Sequence, residues 1–248
     1  MFISKTILLL TCLAVRKRGD PVLSTSPYPN TTIAGITVID TPTVRAAIEF
    51  SRNHSSEAVF LHQMRAWLFG SLIIAGNETL RNSVDIEVQA VSALLHDLGW
   101  SMAPNSTIVS SDKRFEVDGA IAARKFLADY GDDGWDARRT QLVWDAIALH
   151  TTRTIGYYKE YEVSTTSMGI SVDYDGLKPG VTNETFATII KEFPNDELKK
   201  VTNDTFTWIC ATKPAVTYDT QLQSWGERYV ANYSTEGNLR IDHIFDNL

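Results

Sequence analysis

Apolar positions recur at helical spacing along most of this chain, and the breaks between the runs carry capping residues. Thr41-Pro42 sets an N-cap ahead of proline at the first helical position and opens a helix through Val44, Ala47, Ile48 and Ser51. A second helix starts at Ser55 or Ser56 and reaches Ala75, where Gly76 closes it. Val59, Phe60, Leu61, Met64, Trp67, Leu68, Phe69, Leu72 and Ile73 leave it hardly any polar side, which predicts a helix in the middle of a bundle. A third runs from about Asp85 to Leu98. In it Val88, Val91, Leu95 and Leu98 form an apolar stripe, and Ala90, Ala93 and Asp97 share an adjoining face.

The pattern continues in the second half. Residues 112–120 enter a helix that runs to Tyr130, and Asp136 begins another that ends in Ala146 to Thr152. Residues 167–173 read as helix, Asp175-Gly176 as a turn, and shorter helices follow around 183–192 and 196–210, the last stopped by Pro214. Ile33 to Ile39 is either a short strand or an extended packing segment. Gly19 to Thr32, rich in Pro, Ser and Thr, reads as a flexible leader. With no internal repeat, the prediction is an all-α fold in one domain, a helical bundle over 41–230. Segments at 1–18, 19–40 and 231–248 lie outside it as a probable signal or pro-segment, the leader and a C-terminal tail.

Composition changes this picture at one end only. A length of 248 residues with 44% hydrophobic and 21% charged residues suits one ordinary globular domain. A net charge of -7 offers nothing to a polyanion, so nucleic-acid binding is not expected. Lys5, the apolar run from Thr6 to Val15 and the basic Arg16-Lys17-Arg18 fit a secretory signal too short to span a bilayer. Ala14 stands where cleavage would follow, and Lys17-Arg18 offers a dibasic processing site. The competing reading is a mis-assigned start or a buried helix. Asn30, Asn53, Asn77, Asn105, Asn183, Asn203 and Asn232 all head Asn-X-Ser/Thr triplets, which favours a secreted or vacuolar glycoprotein without stable membrane insertion after signal removal. Cys12 would leave with the signal, and Cys210 alone forms no intrachain disulfide.

Candidate chemistry centres on His96-Asp97 at the end of the apolar third helix. Imidazole nitrogen and carboxylate oxygen are ligands that zinc and other first-row metals accept. The dipeptide alone says little. His62 lies inside the second helix, where in isolation a core histidine bonded to a carbonyl is the better reading. His150 shares a face with Val143, Ala146 and Ile147 and so points inward. Asp173 shares a face with Gly169 and Ile170, and burial there demands a cation, donors or solvent. Glu116 and Asp118 fit either the positive end of a helix dipole or an active site.

Taken together, His62, His96-Asp97 and Asp173 resemble the H…HD…D signature of HD-domain metalloproteins. Residues 114–120, 148–152 and 168–170 resemble the fungal cyanamide-hydratase-like branch, and Lys213-Pro214 through 226–229 is similar to its tail. The resemblance spans about Thr41 to Tyr229. It implies an HD-type helical bundle in which His62, His96, Asp97 and Asp173 hold one divalent metal, zinc first, with iron or manganese also suited to the N/O set. It leaves His150 and Glu116 for substrate contact or proton transfer, and Thr151, Thr152 or Thr165 for a substrate's polar end or for helix caps. The implied activity is addition of water to a small nitrile-type molecule, formally a lyase. A phosphohydrolase drawing on Lys113, Arg114, Arg124 and Arg153, an isomerase-like tailoring enzyme of the secretory route, and a metal-free binding protein are the alternatives. The partner implied is a small-molecule substrate, and a homo-oligomer is compatible with all of these.

Overall fold

The computed structural model describes residues 28–103 and 105–244. The signal segment, the leader up to residue 27 and Pro104 lie outside the described residues. The chain forms β1 (Asn30–Ile33), β2 (Ile36–Ile39), α1 (Pro42–His54), α2 (Glu57–Ala75), α3 (Glu78–Ser83), α4 (Ile86–Leu95), α5 (Phe115–Tyr130), α6 (Ala137–Leu149) and α7 (Arg153–Gly156). It continues through α8 (Tyr161–Asp175), α9 (Asn183–Glu192), α10 (Leu198–Thr212), α11 (Gln223–Tyr229) and α12 (Arg240–His243). The all-α class is borne out. Caps read from the sequence carry the hydrogen bonds that define them: Thr41 Oγ1 accepts from the Val44 amide at 3.1 Å, and Asp136 accepts from that of Arg139 at 2.8 Å.

Helix α2 is apolar all round because it is surrounded. It packs on α8 and α4, and α6 packs in turn on α4, α5 and α8. Trp67, Leu68 and Phe69 are fully buried at its centre. The α2–α8 crossing is close because both helices lack a side chain there. A Cβ on Gly169 would sit 2.4 Å from the Ala66 carbonyl oxygen and 2.9 Å from the Gly70 nitrogen. One turn further along α8 comes Asp173, so this approach also sets the distance between α8 and the polar residues of α2.

Several boundaries differ from those predicted. The flexible-leader reading of 19–40 is corrected over its last residues: from Asn30 the chain is an antiparallel hairpin with Thr31 opposite Val38, and Val38 and Ile39 join the core. Its turn uses Ala34 and Gly35 at φ 48° and 75°, the two positive values of a type I′ connection. Alanine seldom occupies that region, so the turn had no Asn-Gly signal to read. Helix α4 stops at Leu95 rather than Leu98, and a 3-10 turn follows at Leu98–Trp100. Gly99 lets the start of α5 lie on this turn, since a Cβ there would meet the Phe115 carbonyl oxygen. Helix α8 begins at Tyr161, a turn and a half before residue 167. Asp118 leaves the active-site candidates, because the buried Lys213 ammonium donates to it at 3.0 Å and also to the carbonyls of Ser110 and Lys113.

Candidate metal centre

The end of α4 delivers two side chains to one buried point. His96 caps α4, and Asp97 follows with φ -104°, which turns its carboxylate back toward the same space. His62 arrives from the middle of α2. The His62 and His96 Nε2 atoms are 3.2 Å apart, Asp97 Oδ2 lies 3.1 Å from the first of α4's pair and 3.7 Å from His62, and the three donors fall within 4.8 Å of one another. All three residues are 2% exposed or less. A buried His62–His96–Asp97 group that could hold a metal ion is therefore present.

The hydrogen bonds behind the rings decide which atoms face inward. His96 Nδ1 is 2.8 Å from the Ala93 carbonyl, His150 Nδ1 is 2.7 Å from that of Ile147, and His62 Nδ1 is 2.7 Å from Asp173 Oδ2. Each of these partners only accepts, so each Nδ1 carries the hydrogen and each neutral ring turns an Nε2 lone pair inward. His150 Nε2 ends 3.4 Å from Asp97 Oδ1, an oxygen that has no aligned donor among the described residues. Lone pairs thus converge with no donor between them. That is the arrangement a cation or a shared proton relieves, and the donor set fits a first-row divalent ion.

Electrostatics separate the roles. Burial outweighs the pull of Asp97 and, with a smaller contribution from the imidazoles of His62 and His150, holds His96 below the ordinary histidine range, leaving its lone pair free. Burial opposes the Asp97 carboxylate, but a proton shared with the imidazoles of His96 and His150 outweighs it and holds the carboxyl below its usual range. For His150, burial is outweighed by Asp97 and Glu116, so its ring takes a proton more readily than an ordinary histidine. His150 is thus poised as a proton carrier beside the trio.

Two predicted site residues stand elsewhere. Asp173 is not among the three inward-facing donors. It sits behind His62, on Nδ1, and its oxygens also take Arg65 Nε at 2.8 and 3.0 Å. Burial opposes its charge, but the His62 hydrogen bond and the Arg65 guanidinium keep the carboxyl below its usual value. It orients and polarises His62, as carboxylates behind metal-binding histidines do. Glu116 is equally buried and accepts from Arg114 and from Thr151 Oγ1, which places Thr151 at the pocket wall while Glu116 itself stays behind it. Thr165 is a helix-backbone partner, donating to the Tyr161 carbonyl.

Arg65 was missed by the sequence reading. Its signal was there: one arginine in a helix without a polar face must find a buried partner. The trio opens into a cavity of about 260 Å³ that is also lined by Trp100, Phe206 and Trp225, with Ser167 and Arg153. No family model matches this chain, and comparison with curated proteins finds no match either.

Proposed function

We propose that this chain is a metal-dependent enzyme of the HD type that adds water to a small unsaturated molecule, a nitrile in the simplest case. The observation that carries the reading is the convergence of imidazole lone pairs and the Asp97 carboxylate in a buried pocket without a donor among them. His62, His96 and Asp97 would hold one divalent ion, zinc by preference for this N/O set. When bound, such an ion supplies Lewis acidity and a water of lowered pKa.

The chain's own residues then divide the remaining work. Asp173, held by Arg65, keeps His62 in one tautomer. His150 takes a proton on Nε2 and gives it up toward the substrate nitrogen. In the overall change the water oxygen bonds to carbon and its two hydrogens end on nitrogen, giving an amide; nothing is oxidised and no group leaves. Passage through the secretory route accords with the exposure of Asn30, Asn53, Asn77, Asn105, Asn183 and Asn232, while Asn203 is half-buried.

The test is a metal assay joined to a substrate screen. Urea release from cyanamide and amide release from organic nitriles are expected, without phosphate release from phenyl phosphate. His150→Ala should keep its metal and lose about 10²–10⁴-fold in turnover. Phosphate release without hydration would replace this reading by a phosphohydrolase, and metal loss in His150→Ala would move His150 among the ligands.

A further inference from the structure

The cavity beside the trio is shaped for something other than a three-atom solute. Its volume of about 260 Å³ exceeds the ~150 Å³ of an apolar cavity that holds benzene. An ion with its water takes part of the excess, which leaves room for a six-membered ring and a few further heavy atoms, about eight to ten in all. Cyanamide would leave most of that space as water against aromatic surface.

The lining next to the trio carries rings set edge to face. Trp100 and Phe206 have centroids 5.2 Å apart at 76°, and Phe206 and Trp225 are 5.1 Å apart at 89°. Phe115 links this row to the site, 5.9 Å from Trp100 and 5.6 Å from His150. Trp225 is held in place by donating from Nε1 to Asn203 Oδ1 at 3.2 Å. Such rows accept a further ring by the same quadrupole preference. Arg153, the one Lys or Arg side chain of the lining, has its charge balanced by Asp175, so the lining offers an anionic ligand no unbalanced fixed positive charge.

We propose that the ligand of this pocket is an uncharged aryl or conjugated molecule of about eight to ten heavy atoms. Its ring lies against Phe206 and Trp225, and its unsaturated carbon is turned toward the His62–His96–Asp97 group. The reacting group is taken from the proposed function; the ligand class rests on the size, charge and aromatic lining of the cavity.

Benzonitrile, cyanamide and phenyl phosphate serve as probes with the purified full-length chain. Ligand-observed NMR reads benzonitrile and phenyl phosphate binding with and without added zinc, and product analysis reads amide or urea. Benzonitrile should bind in both metal states, and Trp225→Leu and Phe206→Leu should each weaken it at least tenfold. Metal content and far-UV circular dichroism should stay as in the wild type; should Phe206→Leu fail that control, the more exposed Trp225→Leu decides. Where both nitriles react, kcat/KM should favour benzonitrile at least tenfold. Benzonitrile bound with this wall dependence but never hydrated upholds the ligand class and removes the hydration reading. Cyanamide hydrated as well as or better than benzonitrile keeps hydration and overturns the ligand class. So do an absence of benzonitrile binding, binding indifferent to both wall variants, or tighter binding of phenyl phosphate.

Discussion

Arg65→Met probes the support behind the candidate metal centre. The guanidinium is wholly buried; Nε donates to both Asp173 oxygens, Nη2 lies 2.8 Å from Oδ2, and Nη1 donates to the carbonyls of Phe193 and Pro194 at 3.2 and 2.7 Å. It therefore ties α2 to α8 and to the chain after α9 at one point. Methionine fills much of the same volume but leaves the Asp173 carboxylate with His62 alone and two carbonyls without a donor. Breaking a buried pair from one side costs about 3–5 kcal/mol, a large share of a native stability of about 5–15 kcal/mol. Neutralising the other partner as well removes the uncompensated charge. Arg65→Met/Asp173→Asn should therefore be less destabilised than the sum of the two single variants, with a coupling of about 2 kcal/mol or more. Urea unfolding of the four proteins, followed by circular dichroism, reads both quantities. An Arg65→Met loss under about 1 kcal/mol, or additive single effects, would refute the reasoning.

Other consequences follow from the same geometry. Asp173→Asn should keep close to one metal equivalent but bind it about 10–100-fold more weakly, because the carboxylate acts through His62; complete metal loss in competition titrations would make Asp173 a ligand. Gly169→Ala places a methyl against the Ala66 carbonyl and the Gly70 nitrogen, backbone atoms of the central crossing. It should cost about 1–3 kcal/mol by urea unfolding, and wild-type stability would contradict the close approach. Glu116 ionises below its ordinary value of 4.5, since Arg114 outweighs the burial that opposes its charge. Its contribution to stability is complete above that pH and is lost as the pH falls toward the lower folded-state value. The gap in urea midpoint between wild type and Glu116→Gln should narrow between pH 6 and pH 3, and a gap that stays constant or widens would count against the assignment.

What the sequence disclosed was what neighbouring residues decide among themselves. The Thr41-Pro42 and Asp136 caps, the all-apolar α2 and the inward faces of His96 and His150 are set by residues within a turn or two, and those readings match the structure. The short strand read at Ile33 to Ile39 is present as β2, but its pairing with Asn30–Ile33 escaped because the turn places alanine at positive φ, against the local preference. Asp173 was grouped with the ligands because order along the chain does not say which nitrogen of His62 it meets. Arg65, which occupies the other side of that carboxylate, lies 108 residues away. The aromatic wall is assembled from the turn after α4 and from α10 and α11, elements whose meeting only tertiary packing decides. Without it the pocket had no size, and the substrate could be argued only from resemblance.

The most direct measurement is the metal content of the purified chain, by inductively coupled plasma mass spectrometry, for the wild type and for His96→Ala and Asp97→Ala. About one equivalent of a first-row divalent metal in the wild type, lost in both variants while their helical signal persists, is the expected result. A wild type purified in zinc that holds none, or variants that hold as much as the wild type, would contradict a metal centre at His62, His96 and Asp97.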